Sequence, residues 1–167
     1  MIRTAREHGI SMSIVAAADR INEAQKLVLV RKLRAYFDNQ LAGKTVAIWG
    51  LAFKANTDDV REAPSLNIAR ALSGDGVTLR VCDPEAGENF MSELGDVPSP
   101  VELVSDPYDA LRDADALALC TEWRQYRSPD FERMKSLMRR PALFDGRNQW
   151  DRGLVEKMGF SYYGIGR

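Results

Sequence analysis

The sequence contains one histidine and two cysteines among its 167 residues. His8 stands alone in a polar N-terminal stretch, so a metal site built on several histidines is excluded and we expect His8 at the surface. Cys82 and Cys120 lie far apart and form no CxxC motif. This spacing favours two buried strand thiols in a reducing cytosol over a disulfide or a catalytic thiol. The low counts exclude most hydrolase and metalloenzyme chemistries.

Excess charge and long apolar runs are absent as well. The 23 basic and 24 acidic residues give a net charge of −1, whereas a broad nucleic-acid surface needs an excess of Lys and Arg. No run approaches the ~18 apolar residues of a membrane span. Residues 1–12 lack the apolar segment of a secretory signal. We therefore expect a cytoplasmic domain that has neither nucleic acid nor membrane as a partner.

The first 42 residues differ in pattern from the rest. Residues 14–41 contain no Gly and no Pro, and their apolar residues recur near helical spacing. This predicts one long amphipathic helix of about seven turns, with Ser13 as its N-cap and Gly43 beyond its end. Its apolar stripe requires a partner surface, which is the following domain, another subunit or sequence outside this chain. We divide the chain into a helical segment, residues 1–42, and a domain, residues 43–167.

Short apolar runs alternate with helical patterns after residue 43. The predicted strands are 45–49, 78–82, 101–104, 116–120, 142–145 and 160–165. The predicted helices are 64–73, 85–94, 106–111, 129–138 and 154–158. This order predicts an α/β fold, a Rossmann-like doubly wound parallel sheet preceded by the long helix. Such sheets bind ligands at the carboxyl ends of their strands.

The turn after the first strand lacks two of the three glycines of a dinucleotide fingerprint. It reads GLAFK at residues 50–54, and only Gly50 is present of the GxGxxG pattern. The standard dinucleotide contact is therefore missing. Asp83 ends the second strand, where a ribose-binding acid is placed in dinucleotide-binding folds. Without the glycines we favour the alternative, a strand-end turn residue before Pro84.

The connection that follows this turn is longer than an ordinary βα loop, and long loops are often functional. Lys54 and Arg61 can place cations near a phosphate or a sugar oxygen. Phe53 can pack on a base or sugar face. The alternative is a solvated loop in which Asp58, Asp59 and Arg61 pair with one another.

Two more turns are predicted at the same edge of the sheet. DGRN at residues 145–148 places Arg147 where it can contact a base or a phosphate, and the alternative is a tight turn with an exposed arginine. TEW at residues 121–123 follows the fourth strand, and Trp123 is more typical of a cover over the core than of a ligand platform. We expect Lys54, Arg61 and Arg147 to gather at this edge.

Taken together, these stretches resemble the nucleotide-sugar dehydrogenases. The resemblance rests on GKTVAIWGLAFK at residues 43–54, NTDDVRE at 56–62, TEW at 121–123 and DGRN at 145–148, and it covers essentially the whole chain. NEAQ at residues 22–25 resembles the long central helix of that family. The TEW and DGRN motifs favour family members that act on UDP-glucose over those that act on UDP-N-acetylmannosamine or GDP-mannose.

The resemblance implies the UDP-sugar-binding, C-terminal portion of an NAD-dependent enzyme. Such enzymes oxidise a primary alcohol of the sugar to a carboxylate in two steps, through a thiohemiacetal on a cysteine. They bind NAD mainly in an N-terminal domain and form a dimer through the central helix. This chain has no GxGxxG and no GGxCxxxD segment with its nucleophile, so we expect a fragment that is inactive alone. The alternative is a free-standing nucleotide-binding or regulatory module.

The resemblance also implies roles for single residues. Phe53 and Lys54 contact the UDP-sugar, and Lys54 stabilises negative charge near the reacting carbon, which suits a buried ammonium. Arg147 contacts the nucleotide. Arg61 reaches the NAD that the other domain binds.

Overall fold

A six-stranded parallel sheet forms the centre of the molecule in the computed structural model, which describes His8 and residues 12–166. The strand order is β3-β2-β1-β4-β5-β6, and every neighbouring pair is parallel. The strands are β1 (Thr45–Trp49), β2 (Thr78–Cys82), β3 (Val101–Leu103), β4 (Ala116–Leu119), β5 (Ala142–Asp145) and β6 (Ser161–Gly164). The doubly wound α/β fold predicted from the sequence is confirmed.

Helices connect and flank these strands. They are α1 (Ser13–Lys26), α2 (Val28–Tyr36), α3 (Pro64–Gly74), α4 (Gly87–Leu94), α5 (Pro107–Ala110), α6 (Phe131–Leu137) and α7 (Arg152–Lys157). Three of the short helices, α5, α6 and α7, begin at an aspartate whose side chain accepts a hydrogen bond from a backbone N–H of the first turn. A 3-10 turn at Arg124–Tyr126 was not predicted.

The single helix predicted over residues 14–41 is wrong in its continuity and in its end. Leu27 leaves the helical dihedrals (φ −99°, ψ 9°) and divides the segment into α1 and α2. The second helix ends at Tyr36 because Asp38 and Asn39 take φ values of 50° and 61°. Aspartate and asparagine enter this left-handed region more readily than other residues with a side chain. Ser13 is the first residue of α1 and not its N-cap.

The two halves of the helical segment differ in how they pack. In α2, Leu29, Val30 and Leu33 are buried against α3 and β5. α1 buries no side chain, and Ile14 and Ile21 are 84% and 66% exposed. The apolar stripe predicted from the sequence therefore finds its partner within the domain along α2 only.

The core surrounds the sheet, with β4 and β5 buried at every position. Cys82 and Cys120 are buried and free, as predicted, and His8 is exposed. Within the described part of the chain, no helix combines the length and the apolar character needed to cross a membrane.

Candidate functional site

The turns after β1 and β4 are in direct contact at the point where the strand order reverses, which is where doubly wound sheets open a ligand crevice. Gly50 has φ +84°, and a Cβ placed on it would lie 2.6 Å from the backbone nitrogen of Thr121. The Thr121 hydroxyl donates a hydrogen bond of 2.5 Å to the carbonyl oxygen of Ala52. The turns after β1 and β4 are therefore packed tightly against each other at this switch point.

Asp83, which follows β2, holds the turn after β1 by hydrogen bonds. One of its carboxylate oxygens accepts hydrogen bonds from Leu51 N at 2.6 Å, Ala52 N at 3.2 Å and Trp123 Nε1 at 2.9 Å. The other oxygen accepts two backbone N–H groups of the following turn. Since both oxygens are used, Asp83 is a turn residue, as favoured from the sequence, and not a ribose ligand. Trp123 is 7% exposed and covers the core, as predicted.

A cavity of about 460 Å³ opens beside this contact. Its walls come from α1, the loop after β1, the start of α3 and the turn after β5. The lining residues used below are Lys26, Leu29, Phe53, Glu62, Ile68, Cys120 and Arg147. The volume lies within the range of roughly 300–1,000 Å³ that is typical of small-molecule sites.

Arg147 is held in a defined orientation at this cavity. Its Nε lies 2.7 Å from the carbonyl oxygen of Cys120 and 3.0 Å from Glu122 Oε2. Its Nη2 donates to the carbonyl oxygen of Phe53 at 3.3 Å. Because the guanidinium is already ordered, binding an anion costs it little further conformational entropy. Guanidinium groups also recognise phosphate strongly.

The tight turn at residues 145–148 positions Arg147 at the cavity. Asp145 is buried, and its carboxylate accepts hydrogen bonds from Arg147 N at 2.9 Å and Tyr162 Oη at 2.9 Å. A Cβ on Gly146 would come within 2.7 Å of the carbonyl oxygen of Leu119. The two interpretations of this motif are thus compatible, because the tight turn places Arg147 at the cavity.

Phe53 presents an apolar ring at the same cavity. The side chain is 50% exposed, which is unusual for a phenylalanine in a folded domain. A backbone hydrogen bond of 2.8 Å from Phe53 N to Asp59 O closes the loop behind it. The ring can therefore pack against a flat group such as a base or a sugar.

Lys54 and Arg61 do not line the cavity to which Arg147 contributes. Arg61 is 83% exposed and binds the Asp59 carboxylate through Nε at 2.9 Å and Nη2 at 2.8 Å. This hydrogen bonding lowers the pKa of Asp59 to about 2. Lys54 is exposed in this chain. The solvated-loop alternative describes Asp59 and Arg61 correctly.

Sequence reasoning missed Lys26. Its ammonium lies 2.7 Å from Glu23 Oε1 and 2.5 Å from Glu62 Oε2, and its side chain is only 14% exposed. Hydrogen bonds to Glu23 and then to Glu62 raise the pKa of Lys26. The i,i+3 spacing of Glu23 and Lys26 was visible in the sequence. The contact with Glu62, 36 residues away, was not.

Neither thiol has the properties of a nucleophile. Burial raises the pKa of Cys120 to about 12 and that of Cys82 to about 11. A catalytic cysteine requires a lowered pKa. In the described residues, no three potential metal-ligating side chains of His, Cys, Asp or Glu come together.

Comparisons with known proteins agree with this architecture. Residues 47–152 match the model of the UDP-glucose/GDP-mannose dehydrogenase family, UDP binding domain. The chain belongs to this family. It is 42% identical to the UDP-glucose 6-dehydrogenase of Pseudomonas aeruginosa over 169 residues, covering 100% of this chain and 37% of that protein. The identity to the UDP-glucose 6-dehydrogenase of Rhizobium meliloti is 36%, with the same two coverages.

A solved structure of the family shows the same fold. It is a UDP-glucose dehydrogenase from the hyperthermophilic archaeon Pyrobaculum islandicum, with a TM-score of 0.79 and 34% identity. The match covers 98% of this chain and 34% of that one. The chain therefore spans about a third of the length of the family members that it resembles, and it corresponds to their UDP-binding portion.

Proposed function

We propose that the cavity beside β4 and β5 binds the UDP part of a UDP-sugar, as the substrate-binding portion of an NAD-dependent UDP-glucose 6-dehydrogenase. The observation that carries this proposal is Arg147, which the carbonyl oxygens of Cys120 and Phe53 hold at the wall of a 460 Å³ cavity. In the bound state Arg147 contacts the diphosphate, and the Phe53 ring packs on the nucleoside. The similarity to proteins named for UDP-glucose favours that sugar over UDP-N-acetylmannosamine and GDP-mannose.

The turn after β1 has only Gly50 of the GxGxxG pattern and packs directly on Thr121, which supports an NAD site elsewhere in the enzyme. In our proposal NAD binds mainly to sequence outside this chain. The two exposed cations of the loop, Lys54 and Arg61, then face the parts of the enzyme that cover the loop. Lys54 lies on the substrate side, and Arg61 reaches toward NAD.

We infer that α1 pairs with a second copy of the chain. Its exposed Ile14 and Ile21 are seven residues apart and therefore lie on one face of the helix. Residues 1–42 then form the dimerisation segment and residues 43–167 the UDP-sugar-binding domain of a cytoplasmic homodimer. Because α2 packs on α3 and β5, the two parts share one hydrophobic core. The division between them is one of proposed function.

Calorimetric titration with UDP tests the site directly. We expect the chain to bind UDP, and the Arg147→Ala variant to bind at least about tenfold more weakly, because it loses a charge-assisted contact. Arg124→Ala is the matched control, since Arg124 is exposed and does not line the cavity. Equal affinity of the Arg147→Ala variant and the wild type would remove Arg147 from the site.

An activity measurement tests whether NAD binding and the nucleophile require sequence outside this chain. We expect the chain alone to give no NADH absorbance with UDP-glucose and NAD, because it lacks a dinucleotide fingerprint and the GGxC segment. Turnover by the chain alone would contradict this proposal and favour a complete active site within these residues.

A further inference from the structure

Lys26 is the most enclosed cation at the cavity. It is the last residue of α1, a helix in which no side chain is buried, yet only 14% of its side chain is exposed. Arg147, which also lines the cavity, is 32% exposed. The cavity therefore has two cations, one from the turn after β5 and one from the helical segment.

The two carboxylates that bind Lys26 are much more accessible than Lys26 itself. Glu23 is 53% exposed and Glu62 is 78% exposed. An exposed carboxylate is well hydrated without its partner, so releasing the ammonium costs it little. The enclosed ammonium, in contrast, always needs an anion or water beside it.

Lys26 also retains hydrogen-bonding capacity. An ammonium group has three N–H donors, and in the described part of the chain its Nζ has the two partners Glu23 and Glu62. The third donor is available to a group inside the cavity. Glu62 itself is held at φ +60°, a backbone region that is rare for residues with a side chain. Such positions are frequent at ligand-binding sites.

We propose that Lys26 is a second cation for the diphosphate of the bound nucleotide, and that the diphosphate takes Lys26 from Glu62 on binding. This inference rests on the proposed function and adds a ligand to the same site. Arg147 offers a planar fork to one phosphate, and Lys26 offers a compact point charge to the other. The apolar residues Leu29 and Ile68, which also line the cavity, remain for the nucleoside.

The exchange explains why an anion can enter a cavity that also has carboxylates. Asp19, Glu23 and Glu62 lie on its lining, and each is exposed to solvent. While Lys26 is bound to Glu62, this carboxylate competes with the nucleotide. Removing its charge therefore helps the nucleotide, whereas removing the charge of Lys26 hinders it.

Two substitutions that break the same ion pair separate this role from a structural one. UDP affinity is measured by calorimetry for the wild type, Lys26→Gln, Glu62→Gln and the conservative Lys26→Arg. We expect Lys26→Gln to weaken UDP binding about tenfold, Lys26→Arg to keep most of the affinity, and Glu62→Gln to bind UDP at least as tightly as the wild type. The control Lys157→Gln alters an exposed lysine outside the cavity and leaves UDP affinity unchanged.

A merely structural bridge predicts that Lys26→Gln and Glu62→Gln weaken UDP binding to the same extent, and that result overturns the inference. Unchanged affinity of Lys26→Gln, together with a loss in Arg147→Ala, also overturns it but leaves the proposed function intact. Absence of UDP binding by the wild type refutes the proposed function and this inference with it. Ion pairs to exposed carboxylates contribute little to stability, and Lys157 is itself exposed. We therefore expect the thermal unfolding temperatures of the four lysine and glutamate variants to lie close to that of the wild type.

Discussion

Gly50 and Thr121 approach each other so closely that no Cβ fits between them. An ideal Cβ on Gly50 would lie 2.6 Å from Thr121 N and 2.8 Å from Thr121 O, and backbone atoms cannot move aside as a flexible side chain can. This contact joins the turns after β1 and β4 at the switch point of the sheet. The cavity proposed for UDP lies beside it and is lined by the turn after β5 and the helical segment.

The Gly50→Ala substitution tests this contact. We expect the free energy of unfolding to fall by about 2–5 kcal/mol, because the left-handed backbone costs about 1–2 kcal/mol and overpacking adds about 1–3 kcal/mol. Urea denaturation followed by circular dichroism measures the loss. Gly74→Ala is the matched control, because Gly74 lies in α3 with nothing within 4 Å of a Cβ. There alanine should stabilise the chain by about 0.5–1 kcal/mol. Wild-type stability of Gly50→Ala would show that the two turns are not in contact.

Asp83→Asn addresses the hydrogen bonds beneath the same turn. Both carboxylate oxygens of Asp83 accept N–H groups, whereas asparagine has an NH₂ group in place of one of them. Whichever way the amide is turned, some N–H donors lose their acceptor. We expect this to lower the free energy of unfolding by about 1–3 kcal/mol. UDP binding should weaken as well, since Asp83 holds Leu51 and Ala52, which precede Phe53. Chemical denaturation and calorimetry measure the two effects.

Asp109→Asn provides the comparison for Asp83. Asp109 forms an exposed i,i+3 ion pair with Arg112, and such pairs contribute about 0–1 kcal/mol. Equal losses of stability in the two variants would mean that Asp83 is no more than a surface carboxylate.

The sheet was predictable from the sequence because its central strands β1, β4 and β5 are buried at nearly every position. The bounds of β1, β2 and β5 agree with the prediction, since these short runs are followed by Gly, Asp-Pro or Gly, which mark where each strand ends. Arg147 was predictable for a similar reason, because a turn at the end of a strand fixes where its residues lie.

Other features depend on contacts between residues that are far apart in the sequence. The spacing of apolar residues within one segment does not reveal such contacts. The buried side of α2 follows from its packing on α3 and β5. The Lys26–Glu62 pair requires the helical segment to lie against the loop after β1. The pairing of Arg61 with Asp59, only two residues away, was one of the two interpretations of this loop that the sequence left open.

The two thiols make stability depend on pH in the alkaline range. Burial raises the pKa of Cys120 from 9.0 to about 12 and that of Cys82 from 9.0 to about 11. The unfolded chain therefore loses these protons at a lower pH than the folded chain does. We expect their contribution to the free energy of unfolding to be constant below pH 9.0 and to decrease as the pH rises through about 11–12.

Urea unfolding of the wild type and Cys120→Ala at a series of pH values measures this effect. The variant is expected to be less stable near neutral pH, because alanine leaves a small cavity, and to lose stability less steeply above pH 9.0. Tyrosine and lysine titrations are common to both proteins and cancel in the difference. Parallel pH profiles would show that the Cys120 proton does not contribute.

The exposed face of α1 leads to a prediction about assembly. If this face pairs with a second copy, light scattering of the wild type gives a mass twice the 18.7 kDa of the chain. Ile21→Glu should shift the protein toward the monomer, because it places a charge in an apolar contact. Leu154→Glu on α7 is the control, since Leu154 is also exposed (51%, against 66% for Ile21) but lies outside the helical segment. A wild-type monomer at high concentration, or dissociation of both variants alike, would rule out α1 as the dimer surface. Dissociation of Ile21→Glu alone, with UDP affinity unchanged, would separate the assembly surface from the nucleotide cavity, although α1 contributes residues to both.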